Sequence, residues 1–130
     1  MILVFSELVR IFNNNQYRYE NNSMKESNNI IEFLQYIENN YNKCSLNSMA
    51  RHFGYNSNYL GNLLKSKTGK TFSQLKLEHQ LNEASILIAH TEMPIYEIAY
   101  EVGFSNLGFF YKKFKENFNI NPQEYRDKYI

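Results

Sequence analysis

One short unit occurs twice in this chain, and the duplication constrains its fold more than any other feature. Leu46, Ala50 and Gly54 recur as Ile95, Ala99 and Gly103, each 49 positions later. An aromatic residue follows each glycine, Tyr55 and Phe104, and a candidate helix cap comes next, Asn56 and Ser105. After one inserted residue the offset becomes 50 and holds: Leu60 with Phe110, Leu64 with Phe114, Lys65 with Lys115, Gly69 with Asn119. Each copy reads as a short helix carrying a small residue, a glycine turn and a second amphipathic helix. Ala50 and Ala99 allow two helices to approach closely, and Gly54 and Gly103 can take the positive φ of a sharp interhelical turn.

The rest of the chain follows the helical period. Ile30, Phe33, Leu34, Ile37 and Tyr41 form the stripe of a first core helix, with Ser27 or a neighbouring Asn as its cap. Ser45 caps LNSMARHF, stopped by Gly54, and Asn56 caps SNYLGNLLKSKT, stopped by Gly69. Thr71 and Gln74 have capping-box spacing and open a long helix to about His90, with Phe72, Leu75, Leu81, Ala84 and Ile88 along one stripe. A turn at Pro94 leads into IYEIAYEV, Ser105 caps NLGFFYKKFKEN, and Asn121, Pro122 and Glu124 open a last helix. Ile2, Phe5, Leu8, Val9 and Phe12 predict a further short helix at 2–12, followed by an asparagine-rich linker. No alternating strand pattern occurs, so the expected fold is all-α, with about seven helices plus the N-terminal one. Residues 1–27 form an N-terminal segment and 28–130 the domain.

A length of 130 residues allows one domain and an appendage, and 43% hydrophobic residues suffice for a core. A single cysteine, Cys44, makes neither an internal disulfide nor a cysteine-rich zinc site, which suits a reducing, cytoplasmic setting. A solvent-facing or half-buried thiol is expected there. The opening MILVFSELVRIF is broken by Glu7 and Arg10 and is neither a membrane span nor a signal peptide. The formal net charge of +1 conceals segregation. From Lys43 to Leu77 stand six basic residues and no acid; from Glu78 to Tyr111 stand five glutamates and no Lys or Arg; then Lys112, Lys113 and Lys115 restore a positive cluster. Two basic islands suit a polyanion, because phosphate neutralisation needs local positive charge.

A repeated helix, glycine turn and exposed second helix, each ending in lysines, is the design of a tandem helix-turn-helix. At LNSMARHFGYNSNYLGNLLKSKTGKTF and PIYEIAYEVGFSNLGFFYKKFKENFNINPQEYR the chain resembles the AraC/XylS family of transcription regulators. The resemblance covers roughly residues 30 to 130. It implies two helix-turn-helix subdomains joined by a long connector helix, here Thr71 to His90, and binding of double-stranded DNA by two recognition helices in successive major grooves. Many members carry Arg where this chain has Gln80 and Asn62, and Gly where it has Asn119. Typical members also carry a sensory domain, for which this chain has no room. The 2–12 helix is therefore read as the tail of such a domain or a homodimer contact, and RNA polymerase is a further candidate partner.

In the first recognition helix, 57–67, Leu60, Leu63 and Leu64 mark the buried stripe, which turns Asn58, Gly61, Asn62 and Lys65 outward. Asn pairs in two places with adenine, so Asn58 and Asn62 are base-reading candidates, and Gly61 permits close approach of DNA. In the second, 106–117, Phe109, Phe110 and Phe114 are expected in the core, leaving Leu107, Gly108, Tyr111 and Lys112 outward. Lys112 can donate to guanine and Leu107 can touch a thymine methyl. Lys65, Lys67, Lys113 and Lys115, with Asn56 and Ser105, are backbone-positioning candidates. No set of acids, bases and nucleophiles converges as catalysis requires, so neither enzyme activity nor a cofactor or metal is expected. His79 and Glu83 are expected to be an ordinary helix-surface pair, His52 a surface contact and His90 a helix-end charge. The rival reading is a helical protein-interaction module with Tyr96, Tyr100 and Phe118 forming a groove.

Overall fold

A computed structural model describes residues 22–129, with side chains from Asn29 onward. The 2–12 helix lies outside the described residues. Seven helices and no strand occur among those described: α1 Asn22–Asn40, α2 Leu46–Phe53, α3 Ser57–Thr68, α4 Phe72–His90, α5 Ile95–Glu101, α6 Leu107–Phe118 and α7 Pro122–Lys128. None of them is long and apolar enough to cross a membrane. The chain forms two compact units, one ending at Lys76 and the other beginning at Leu77, so α4 is the connector.

In the first unit α1 begins at Asn22, which puts Ser27 inside the helix rather than at its cap. Met24, Lys25 and Glu26 are good helix formers and carry the helix back into the stretch read as linker. Ile30, Phe33, Leu34 and Ile37 are buried at helical spacing, whereas Tyr41 stands past the helix end. Their partners are Met49 and Ala50 of α2, Leu60 and Leu64 of α3, and Phe72 and Leu75 of α4. Cys44 belongs to the same core at 3% exposure, so the expectation of an accessible thiol fails. Its burial pushes the thiol pKa up, and its carbonyl accepts a hydrogen bond from Lys76 Nζ at 2.7 Å.

From Ser45 onward the predicted punctuation of this unit holds. Ser45 Oγ accepts from Ser48 N–H, and Ser48 Oγ returns the favour to Ser45 N–H, closing a capping box on α2. Gly54 ends α2 at φ 75°, a left-handed conformation that costs a residue with Cβ about 1 kcal/mol or more. Thr71 and Gln74 form the reciprocal pair that starts α4, at 2.8 and 3.2 Å.

The second unit buries Leu81, Ala84 and Ile88 of α4 with Ile98, Ala99, Val102, Phe104, Phe110 and Phe114. Gln80, 6% exposed, donates from Nε2 to the Val102 carbonyl at 3.1 Å, satisfying an acceptor at the C-cap of α5. Asn119 ends α6 at φ 68°, the turn that the sequence assigned to it. Asn121 and Glu124 form the capping box of α7 over Pro122, and the ring of Tyr125 packs edge-on against Phe114 and Phe118.

His79 corrects the sequence reading. It is buried at 3% exposure, with Nε2 3.8 Å from Glu83 Oε1, and burial lowers its pKa to about 4. At neutral pH it is therefore an uncharged core residue and not half of a surface ion pair. Its burial is not legible from periodicity because α4 carries apolar residues on more than one side, Ile86 lying roughly opposite Leu81 and Ile88.

Candidate nucleic-acid interface

Each unit presents one helix that starts at an asparagine cap directly after a helix and a turn. In the first, Asn56 Oδ1 accepts from the N–H groups of Asn58 and Tyr59 at 2.8 and 3.3 Å. In the second, the cap is Asn106, whose Oδ1 accepts from Phe109 N–H at 2.8 Å. Ser105 is therefore not the cap. It is the inserted residue of the second copy, so the offset of 50 already applies at the caps and the second recognition helix starts one position later than expected. A side-chain carboxamide reaches the third N–H of the helix, and Asn106 stands in the register that allows this.

The caps fix which side chains turn outward. Leu60 and Leu64 are fully buried and Leu63 half-buried, which leaves Asn58, Asn62 and Lys65 exposed, as expected. Lys67 is exposed near the C-terminal end of α3, where its charge complements the helix dipole. Gly61 is partly covered, and a Cβ there would lie 3.3 Å from Leu46 Cδ2. Its missing side chain thus lets α3 close on α2, a packing reason that the sequence reading did not foresee. Asn56 is exposed, but its side-chain oxygen is occupied by the cap.

On α6, Phe110 and Phe114 are buried, whereas Phe109, expected in the core, is 46% exposed. Phe110 and Phe114 lie four residues apart on the inward stripe, and Phe109 is rotated about 100° from Phe110. Gly108, Tyr111, Lys112 and Lys115 are exposed; Leu107 and Lys113 are half-covered. The Tyr111 ring, 38% exposed, meets Phe110 at 5.8 Å. Lys113 Nζ lies 3.3 Å from Glu116 Oε1 and 5.5 Å from the Phe109 ring centroid, so its charge is partly engaged within the helix. Tyr59, which the sequence reading passed over, is 55% exposed on α3. The signal for it was present in the repeat, because Tyr59 and Phe109 are separated by 50 positions.

Elsewhere in the second unit, α5 exposes Tyr96, Glu97, Tyr100 and Glu101. His52 lies exposed with its ring 4.8 Å from Tyr36, and His90 is exposed at the last position of α4. No group of three or more His, Cys, Asp or Glu side chains among the described residues is placed to hold a metal ion.

The family model described as a helix-turn-helix domain matches residues 49–128. An uncharacterised HTH-type transcriptional regulator from Pseudoalteromonas carrageenovora is 32% identical over 94 residues, which are 72% of this chain and 55% of that protein. The chain thus spans about half the length of that relative. Among solved structures, the C-terminal domain of the two-component response regulator yesN from Fusobacterium nucleatum is 31% identical with a TM-score of 0.72, covering 76% of this chain and 98% of that one. The C-terminal domain of AraT, a response regulator from Geobacillus stearothermophilus, is 29% identical with a TM-score of 0.72, covering 76% and 84%. Two capped helix-turn-helix units on one connector and these likenesses agree: the chain belongs to the helix-turn-helix family of AraC-type transcription regulators, and it is their DNA-binding domain that it matches.

Proposed function

We propose that residues 28–130 bind a specific site in double-stranded DNA, with α3 and α6 each entering a major groove in successive turns of the duplex. The observation that carries this reading is the duplicated asparagine-capped helix whose outward row ends in lysine, Asn58, Asn62 and Lys65 in one copy and Gly108, Lys112 and Lys115 in the other. In a helix-turn-helix the N-terminal part of the second helix meets base edges, and later basic residues meet phosphates. Asn58 and Asn62 then read adenine, Lys112 reads guanine, and Leu107, Gly108 and Tyr111 shape the apposed surface. Lys65, Lys67, Lys113 and Lys115, with the cap Asn56 and with Ser105 beside the other cap, hold the backbone. Its place of work is the cytoplasm, where such DNA lies.

A salt titration of binding to a selected duplex tests this. Four phosphate contacts predict a loss of affinity of about a hundredfold between about 50 and 200 mM salt. Binding to a protein with little salt dependence would instead favour the interaction-module reading. A protein contact besides DNA is supported by one observation: α5 exposes Tyr96 and Tyr100 at 51% and 55%, with Glu97 and Glu101 exposed beside them. Acids there repel phosphate, so this face suits a protein, with RNA polymerase or a second copy of the chain as the candidates.

A further inference from the structure

Both recognition helices hold an aromatic ring in water at the same helical position. Tyr59 is the third residue after the Asn56 cap and 55% exposed; Phe109 is the third after the Asn106 cap and 46% exposed. Each immediately precedes the buried anchor of its helix, Leu60 or Phe110. Neither ring swings free. Tyr59 stacks on Tyr55 with centroids 5.6 Å apart and planes at 26°, and Tyr55 in turn meets the buried Phe33 edge-on at 5.7 Å. Phe109 lies 6.2 Å from Phe104, which meets the buried Phe110 at 5.1 Å. In both units the aromatic residue after the turn glycine braces the exposed ring against the core.

Leaving such rings half in water forgoes part of the stabilisation that full burial of an aromatic side chain contributes. Doing so twice, at one position of a repeated unit, calls for a partner that covers them. Their surroundings define its chemistry. The first unit's segment from Lys43 to Lys76 carries six basic residues and no acid, and Asn58 and Asn62 are exposed on the same helix as Tyr59. Phe109 has the Lys113 ammonium 5.5 Å from its centroid. Tyr59 is thus an apolar spot within a basic, amide-bearing surface, and Phe109 is one beside an ammonium that also meets Glu116 at 3.3 Å, which matches a nucleic-acid groove better than an apolar protein face.

We infer that Tyr59 and Phe109 contact the C5 methyl groups of thymines, one in each half of the DNA site. This deepens the DNA-binding reading and rests on it. The first turn of a recognition helix faces base edges, and the thymine methyl is the one apolar group displayed in the major groove. A phenylalanine, with no donor or acceptor, can read nothing else there. Position matters too: each ring is rotated about 100° from its neighbour, Asn58 or Gly108, toward one flank of the outward row. The methyl likewise lies toward the groove wall, on the side of its own strand. Because the rings are already braced, contact costs little conformational entropy.

The test begins with selection of a binding site from random duplexes by the full chain. Each thymine in the selected site is then replaced singly by deoxyuridine, which removes only the methyl. For the unaltered protein, at least one replacement in each half should weaken binding about fourfold, the effect of one buried methyl group. Tyr59→Ser should abolish the sensitivity in one half and Phe109→Ser in the other, each leaving the remaining half sensitive. Indifference of the unaltered protein to every replacement overturns the inference, and that arm does not depend on any variant folding. Variants that retain both sensitivities overturn it equally. If the unaltered chain selects no duplex at low salt, the DNA-binding reading itself fails and takes this inference with it.

Discussion

Arg126 donates from Nε to the Ile88 carbonyl at 3.0 Å and from Nη2 to the Met93 carbonyl at 2.7 Å. Ile88 is in the last turn of α4, where carbonyls have no partner inside the helix, so the guanidinium of α7 caps the connector and clamps the turn before α5. Pro122, Tyr125 and Arg126, which close the stretch that carries the family resemblance, thus have an architectural meaning here. Arg126→Ala should lower stability by about 2–3 kcal/mol, since two charge-assisted bonds are lost and two carbonyls are left short of a donor. Arg126→Lys should recover only part, because an ammonium cannot reproduce the fork. Urea unfolding at neutral pH checks both, and an unchanged midpoint for the alanine variant would refute the clamp.

The register of the second recognition helix rests on which residue caps it. Asn106→Ala should cost about 1 kcal/mol, and Ser105→Ala no more than a few tenths. Thermal unfolding of the two variants decides the matter, because a larger loss for Ser105→Ala would restore the earlier register.

Most of the fold could be read from residues whose physics is local. Ser45, Asn56, the Thr71 and Gln74 pair, Gly54, Asn119 and Asn121 act within a few positions of themselves, and all stand where the sequence put them. Errors arose where two neighbouring residues could do the same job or where burial depends on a distant partner. Ser105 and Asn106 are both competent caps, and only the closing of α6 on its unit selects the second. Phe109 and Phe110 are chemically alike, yet only one can point inward. Cys44 and His79 are each 3% exposed, and such burial is a property of the assembled unit rather than of the residues beside them in sequence. For the candidate site, the outward positions of Asn58, Asn62 and Lys112 followed from periodicity, and the repeat already paired Tyr59 with Phe109, whereas the packing role of Gly61 against Leu46 depends on how α3 closes on α2.

Burial of His79 makes stability depend on pH in a definite direction. Its pKa falls from 6.5 to about 4 on folding, with burial as the cause, and Glu83 at 3.8 Å does not offset it. Between those values the unfolded chain takes up a proton at this position that the folded chain refuses. Stability is therefore lost as pH drops from about 6.5 and the loss levels off below about 4. The full effect is about 3 kcal/mol. His79→Gln, which cannot titrate, should remove this component, so the difference in unfolding free energy between the two proteins should change by about that amount from pH 7 to pH 4. Parallel pH profiles would show that His79 is protonated in the fold.

Asn62 and Lys115 should separate sequence reading from backbone attraction. Both are exposed, Asn62 mid-way along α3 and Lys115 in the last turn of α6. Removing the Asn62 carboxamide should reduce affinity for the preferred site by about 1–3 kcal/mol while leaving other duplexes almost unaffected, since a bidentate amide pairs with one base and not the rest. Removing the Lys115 charge should weaken every duplex alike and lower the salt slope by about one, as expected when one phosphate contact no longer releases a counterion. Affinities of Asn62→Ala and Lys115→Ala for a selected site, a single-base variant of it and an unrelated duplex, each at several salt concentrations, give both quantities from one set of titrations. If the two variants lose affinity equally on all three duplexes, the division of labour between the carboxamide and the ammonium is wrong.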